Sequence, residues 1–444
     1  MTYDPPNRDC RQMAAILGER LLGEVVEERL DEVLHDLEEL TEGISDARFE
    51  EPTGLTEIDA LLGVFAPVQH PAPVQAQPDD HVREPREEED QPHVQSESDQ
   101  RVNARHATEY TPSLSRGKAP VIEISSTASA AGKSQLLYYL TAIAILPSRC
   151  GQHQIGGRES AVAFIDTDGR FDVERLRTIA QGIIRKRLPD QDVTRHVDDI
   201  LSIITTSLQH LHIFRPQSSA SLLSTLQHLD TYLFDLTRHF SSTRPLHAIF
   251  IDSASAFFWQ DKLHDEVARV EDIGRAYADI EHDRRHKQSF YLSEMYADLV
   301  AELKRLQHRF SCALIYTTTA WSGRSASTGP GDSNPGPFTL YEPHLSTLKF
   351  PSARPSLPAP WGTFPTVRLL VRREAVRPFP SDMTPAEAQA DAAMRQGVVL
   401  RGRFSAWVNG WGCEDWPRRI VDGLDSMNWG MFAFHVRSDG VHID

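Results

Sequence analysis

Val121-Ile-Glu-Ile-Ser-Ser-Thr-Ala-Ser-Ala-Ala-Gly-Lys-Ser134 joins a short apolar run to a string of small residues ending in Gly-Lys-Ser. Val121–Ile124 reads as a buried strand, and Gln135–Leu146 reads as a helix. A small-residue turn between a strand and a helix is the setting that a phosphate-binding loop requires. In such a loop, backbone N–H groups and the helix N-terminus cradle anionic oxygens. Lys133 would then reach the terminal phosphates, and the Ser134 hydroxyl would ligate magnesium. Thr127 stands where the first glycine of such loops belongs, and threonine restricts the φ > 0 backbone that glycine permits.

Working outward, strands and helices alternate. Ala161–Ile165, Leu211–Phe214, Leu246–Ile251, Cys312–Thr317, Thr366–Arg372 and Met431–Val436 read as strands. Helices are expected over 173–188, 222–240, 292–310 and 385–395. This alternation predicts an α/β fold with a mostly parallel sheet covered on both faces. Two of the strands end in carboxylates. Leu246-His-Ala-Ile-Phe-Ile-Asp252 has the form of a magnesium-organising Walker B strand. Ala161-Val-Ala-Phe-Ile-Asp-Thr-Asp168 ends where a water-orienting carboxylate belongs. Both lie at the C-terminal edge of strands, where α/β sheets bind their ligands.

The chain has 444 residues and a net charge of −17, unevenly spread. Residues 1–118 carry 27 Asp and Glu against 11 Lys and Arg, while acids and bases nearly cancel in the remainder. That balance excludes a strongly basic nucleic-acid binder but leaves room for a local contact patch. Three regions are expected: an acidic helical segment over 1–66, a disordered linker over 67–118 and a core over 119–444. In the first, Val26, Leu30, Val33, Leu37, Leu40 and Ile44 form one helical stripe, opposite a row of acids. A short helix over Gly54–Gly63 follows. The linker alternates proline with Gln, Glu and Asp and is too poor in apolar residues to offset its chain entropy. A flexible loop rich in Gly, Ser and Pro is expected over 322–362, and Trp407, Trp411 and Trp416 suggest an aromatic packing cluster. No apolar run is long enough to span a bilayer, so no membrane partner is expected. The four cysteines show no zinc or disulfide spacing, and a reduced intracellular setting is the expectation.

Three stretches carry a resemblance: Ile165-Asp-Thr-Asp-Gly-Arg-Phe-Asp-Val-Glu-Arg-Leu176, Gln135-Leu-Leu-Tyr-Tyr-Leu140 and Phe250-Ile-Asp-Ser-Ala-Ser-Ala-Phe-Phe-Trp259. They resemble the RecA-type recombinases, and within them the eukaryotic recombinase paralogues. The resemblance is good over about 121–320, weak at both ends and absent in the linker. It implies a RecA-like P-loop NTPase core that takes ATP and Mg2+. Nucleotide contacts would come from Thr127, Ala131, Gly132, Lys133, Ser134, Gln135 and Asp252, with Ser134 and Asp252 holding the metal.

The resemblance also implies losses. Asp168 replaces a glutamate that orients the attacking water and is one methylene shorter. Thr318 and Thr319 replace an Asn-Gln pair that reads the γ-phosphate, and no Phe-x-x-Ala filament motif precedes Gly54. The family reading is therefore a nuclear accessory subunit in DNA double-strand break repair by homologous recombination. It would assemble with other recombinase paralogues, meet DNA within that complex and hydrolyse ATP weakly or not at all. His282-Asp-Arg-Arg-His-Lys287 stands where the family has its first DNA loop, and 322–362 where it has its second. The rivals are an active DNA-dependent ATPase and a P-loop small-molecule kinase. The kinase needs an arginine-rich lid, which the weakly charged 322–362 stretch does not supply.

Overall fold

The computed structural model describes residues 52–66, 119–189, 197–285, 290–320, 350–374 and 382–444. The expected helical stripe from Val26 to Ile44, the linker at 67–118 and most of the 322–362 loop lie outside these residues. So do residues 286–289, at the end of the first DNA-loop candidate. Residues 52–444 form one unit.

Five strands make the parallel half of the sheet: β1 (Val121–Ser126), β4 (Ala161–Asp166), β5 (Leu211–Phe214), β6 (Leu246–Asp252) and β7 (Ala313–Thr319). β8 (Val367–Arg373) pairs parallel to β1, and β9 (Arg403–Val408), β10 (Phe432–Arg437) and β11 (Gly440–Ile443) continue antiparallel. Among the described residues the sheet has nine strands in the order β11-β10-β9-β8-β1-β7-β6-β4-β5. A separate hairpin joins β2 (Arg149–Cys150) to β3 (His153–Gln154). β1 and β4 are buried at every position, which explains why each reads as a continuous apolar run rather than an alternating one.

Alternate strand residues feed two cores. Ile122, Ile124, Val162 and Phe164 face one, with α1 (Thr56–Phe65), α2 (Lys133–Ile145), α3 (Val173–Arg187), α4 (Val197–Leu208) and, near the C-terminus, a helix at Arg418–Ser426. Ala163, Ile165, Ile249 and Ile251 face the other, with α5 (Ser219–Phe234) and a helix at Leu292–Phe310. Between these last two come α6 (Phe258–Glu271) and α7 (Tyr277–Arg285). The 292–310 helix is therefore α8, Pro385–Arg401 is α9 and Arg418–Ser426 is α10. The mostly parallel α/β architecture with helices on both faces is that of a RecA-like core.

Several local expectations change. α1 continues through Gly63 to Phe65 because Phe65 is clamped edge-on against Trp416. α5 stops at Phe234, short of the expected residue 240, and Asp235 accepts hydrogen bonds from Thr237 in the turn that follows. The tryptophans do not form one cluster. Trp407 packs on Phe350, whereas Trp416 stacks with Trp429 in the core that holds α1. Residues 350–362, expected within a flexible loop, are packed. Ala353 and Leu357 are buried, and Trp361 lies edge-on to Tyr296 and Tyr316.

An ion pair crosses the centre of the sheet. Glu123 on β1 accepts from Arg368 Nε at 3.0 Å and from the Thr318 hydroxyl at 2.6 Å, with both charged side chains 3% exposed. Arg368 also donates to the Gly362 carbonyl, tying β8 to the packed 350–362 segment. Removing one partner of a buried pair strands the other charge. Arg368→Met is expected to destabilise the protein by about 3–5 kcal/mol in urea unfolding, and Glu123→Leu with Arg368→Met to recover most of that loss.

Candidate phosphate and metal site

The parallel register gathers the site. Ser126 is level with Thr319, and Asp166 with Asp252, so four strand ends meet along one edge. α2 starts at Lys133, directly after Gly132, and the first N–H groups of a helix have no partner within it. Gly132 takes φ 92° and lies so close to Phe404 that a β-carbon would come within 2.8 Å of its ring. That position therefore needs glycine both for conformation and for space. The other left-handed residue of the loop is Ala130, φ 56°. Thr127 is not among the positive-φ residues, so the threonine imposes no backbone penalty at the place where it was expected to.

Lys133 donates to the Ser126 hydroxyl at 2.5 Å, and that hydroxyl donates in turn to the Ala128 carbonyl at 2.7 Å. Burial lowers the lysine pKa below its usual range, and the charges of Asp252 and Asp168 only partly oppose the shift. Opposite it, burial pushes the Asp252 carboxyl above the usual carboxylate range. Hydrogen bonds from Thr317 and Ser134 resist that shift, and Asp168 and Asp166 reinforce it. Ser134 thus stands beside Asp252, a placement that suits two ligands of one metal. Thr317 Oγ1 donates to Asp252 Oδ1 at 2.7 Å. A desolvated ammonium, a helix N-terminus and a hydroxyl–carboxylate pair form a donor set suited to a polyphosphate and a hard divalent cation.

Asp168 is exposed and accepts from the Ser253 hydroxyl at 2.6 Å. It lines a cleft of about 460 Å3 with Thr127, Ser253, Ser255, Trp259, Thr319 and others. Thr319 reaches this cleft, but Thr318 does not, its hydroxyl being committed to Glu123 in the core. Gln135 accepts from Arg175 Nε at 2.7 Å, and Arg175 also donates to the carbonyls of Ser438 and Gly440 in the β10–β11 turn. Ala131 is buried beneath the loop. Asp166, one strand position before Thr167, is structural. It accepts from the backbone of Arg170 and Phe171 and pairs with Arg215, which shapes the turn that presents Asp168.

Sequence reasoning missed Thr317, Ser253 and Ser255. No motif marks a threonine just after a strand's apolar run, two residues before the strand ends, and its role arises only from the β6–β7 register. Among the described residues, no group of three or more His, Cys, Asp or Glu could hold a metal by itself. No described helix is long and apolar enough to cross a membrane.

No protein-family model matches the chain. It is similar to DNA repair protein XRCC2 of Mus musculus, 32% identical over 133 residues, which is 30% of this chain and 39% of the mouse protein. It is also similar to DNA repair protein XRCC2 homolog of Arabidopsis thaliana, 22% identical over 275 residues, 57% of this chain and 69% of the plant protein.

The lysine has a thermodynamic sign that can be tested. Its folded pKa lies below its unfolded one, so the unfolded chain binds more protons between the two values. The charged side chain therefore costs stability at neutral pH, and that cost falls as pH rises through the folded pKa. Lys133→Met, of similar length and uncharged, is expected to have a higher melting temperature than the parent at pH 7. The gap should narrow toward about pH 10. A lower melting temperature for the variant at pH 7 would refute the reading.

Proposed function

We propose that this protein is an XRCC2-like recombinase paralogue, an accessory subunit of nuclear homologous-recombination repair that binds Mg-ATP and works chiefly by assembly with other paralogues. Support for the repair role comes from the similarity to two proteins so named, on a RecA-like core. Support for nucleotide binding comes from Lys133, Ser134 and Asp252 at one sheet edge, with Thr127, Ala131, Gly132 and Gln135 around them. Ser134 and Asp252 would hold the magnesium and Lys133 the terminal phosphates. Bound Mg-ATP would supply the electrophilic terminal phosphorus for hydrolysis by water. The protein's part would be to hold and orient that water, and here it is poorly equipped. Asp168 is short and already engaged by Ser253, and Thr319 offers only a hydroxyl where the family has an amide. This supports weak or absent hydrolysis over an active DNA-dependent ATPase.

The assembly half of the proposal rests on α6, which is built inside out. Its buried positions include Asp261, which accepts from Ser219 and Tyr296, and Asp265, which accepts from the Leu292 N–H. Its solvent face carries Trp259, Leu263, Val267 and Val270 at helical spacing, the first two 59% exposed and the last 66%. Ile273 and Tyr277 prolong this apolar surface. Large contiguous apolar surface on a folded chain marks a protein contact. Lys262 and Arg269 beside it pair with Glu266 and Asp265 within α6, so phosphate contacts would have to displace those carboxylates. A protein surface fits this face better than DNA.

Turnover is expected to be very slow with or without DNA, and Asp168→Glu to raise it, since positioning the water is a large share of phosphoryl-transfer catalysis. Steady-state phosphate release measures this, and parent turnover equal to that of a competent recombinase would refute it.

Adaptor and motor separate in cells lacking the gene. Leu263→Glu with Val270→Glu should abolish complementation after DNA damage and loosen co-purification with the paralogue partners, while the melting temperature stays put. Lys133→Ala should retain most repair. Each apolar anchor buried at an interface is worth about 1.5–3 kcal/mol, so two charged replacements remove most of a moderate affinity. Complete failure of Lys133→Ala in a chain that still folds and co-purifies would make the nucleotide cycle the function.

A further inference from the structure

Ser253, immediately after Asp252, takes φ 65°, a left-handed backbone that a side-chain-bearing residue rarely adopts. Neighbouring groups hold it there. Its N–H donates to Thr317 Oγ1 at 2.7 Å, and its carbonyl accepts from Thr167 Oγ1 at 2.7 Å. The next N–H, of Ala254, donates to the Thr317 carbonyl at 2.8 Å. Thr317 lies near the end of β7 and Thr167 just past the end of β4, so the strands on both sides of β6 over-determine the turn. Strain that persists because its surroundings enforce it is characteristic of functional positions. The conformation aims the hydroxyl at Asp168 Oδ2, 2.6 Å away.

We propose that Ser253 is the positioning residue of the cleft: its enforced turn holds the Asp168 carboxylate back against the Walker B strand end and so sets how slowly the site hydrolyses nucleotide. One carboxylate oxygen is occupied by the hydroxyl, so within the cleft the side chain is tethered to the turn. The shortness of Asp168 and its engagement by Ser253 act in the same direction. Thr317 serves both neighbours, donating to Asp252 and accepting from Ser253, so the metal-ligand candidate and the restraint on Asp168 are set by one hydroxyl. The regulatory part rests on the reading of this cleft as a Mg-ATP site. The restraint itself does not.

The test uses the full chain with Ser253→Ala, and Ser253→Gly as a second variant, since glycine takes φ 65° without strain and also lacks the hydroxyl. Three measurements are made: amide exchange at Asp168 and Gly169 without nucleotide, Mg-ADP affinity by calorimetry, and ATP turnover. Expected are exchange at those two amides faster by about tenfold with exchange elsewhere unchanged, Mg-ADP affinity within about twofold, and turnover raised by about tenfold. In an Asp168→Ala background the serine change should leave turnover unmoved, because Ser253 acts through Asp168. Unchanged exchange at Asp168 and Gly169 overturns the restraint. Faster exchange with Mg-ADP bound but turnover unchanged or reduced overturns the regulatory role. Faster exchange in a protein that binds no Mg-ADP supports the restraint and overturns the nucleotide reading instead.

Discussion

Everything at this site follows from one constraint, the register of the parallel strands. β1, β7, β6 and β4 are buried runs whose hydrogen-bond ladders align Ser126 with Thr319 and Asp166 with Asp252. A slip of one residue would turn alternate side chains to the opposite core, exchanging Phe164 with Ile165 and Ile249 with Phe250, and the two cores differ in shape and composition. Register is therefore specified by packing. The polar ends of the strands, which contribute little to packing, are carried into place by it. Thr317 can reach Asp252 and Ser253 only because Ile251 is level with Tyr316.

The same edge concentrates electrostatic cost. The ammonium of Lys133 and the carboxyl of Asp252 are both displaced by burial toward their neutral forms, and the groups around them only partly reverse this. The Glu123–Arg368 pair, buried still deeper, is treated differently. Both of its carboxylate oxygens and both ends of its guanidinium are satisfied by direct bonds. A fully paired buried charge is costly only when one partner is removed, whereas half-satisfied charges must be held in place by the fold around them. The contrast between the two places, which β1 joins through Glu123 and Ser126, separates structure from site more clearly than any motif does.

What could be read from the sequence followed from how the fold is stabilised. The buried parallel strands and α2, α3 and α8 announce themselves because apolar burial drives them. Gly132, Lys133 and Ser134 announce themselves because few residue types suit a tight turn into a helix N-terminus, and Asp252 because it is a carboxylate closing an apolar strand. α6 was invisible for a physical reason: its inward positions are carboxylates satisfied by Ser219, Tyr296 and the Leu292 N–H, and its apolar residues point outward. A hydrophobic pattern assumes that apolar means inside, and here that assumption fails. β9, α10 and β11 were also missed, since a short antiparallel edge with mixed residues has neither a long apolar run nor a sustained helical period.

The apparent losses from the recombinase pattern are not equivalent once they have coordinates. Thr127 costs the loop nothing, because the left-handed positions have moved to Ala130 and Gly132. Thr318 is not a failed sensor at all. Its hydroxyl completes the Glu123 network, and an amide there would have to fit a fully buried slot beside Arg368. Asp168 and Thr319 face the cleft beside Thr127, and of these Asp168 is the one held by a strained neighbour. Degeneracy judged by counting substitutions would weigh all of these alike. Weighed by position, the residues that would hold phosphate keep their places, and those that would handle water are altered. That division fits the proposed role, in which holding a nucleotide would matter more than consuming it.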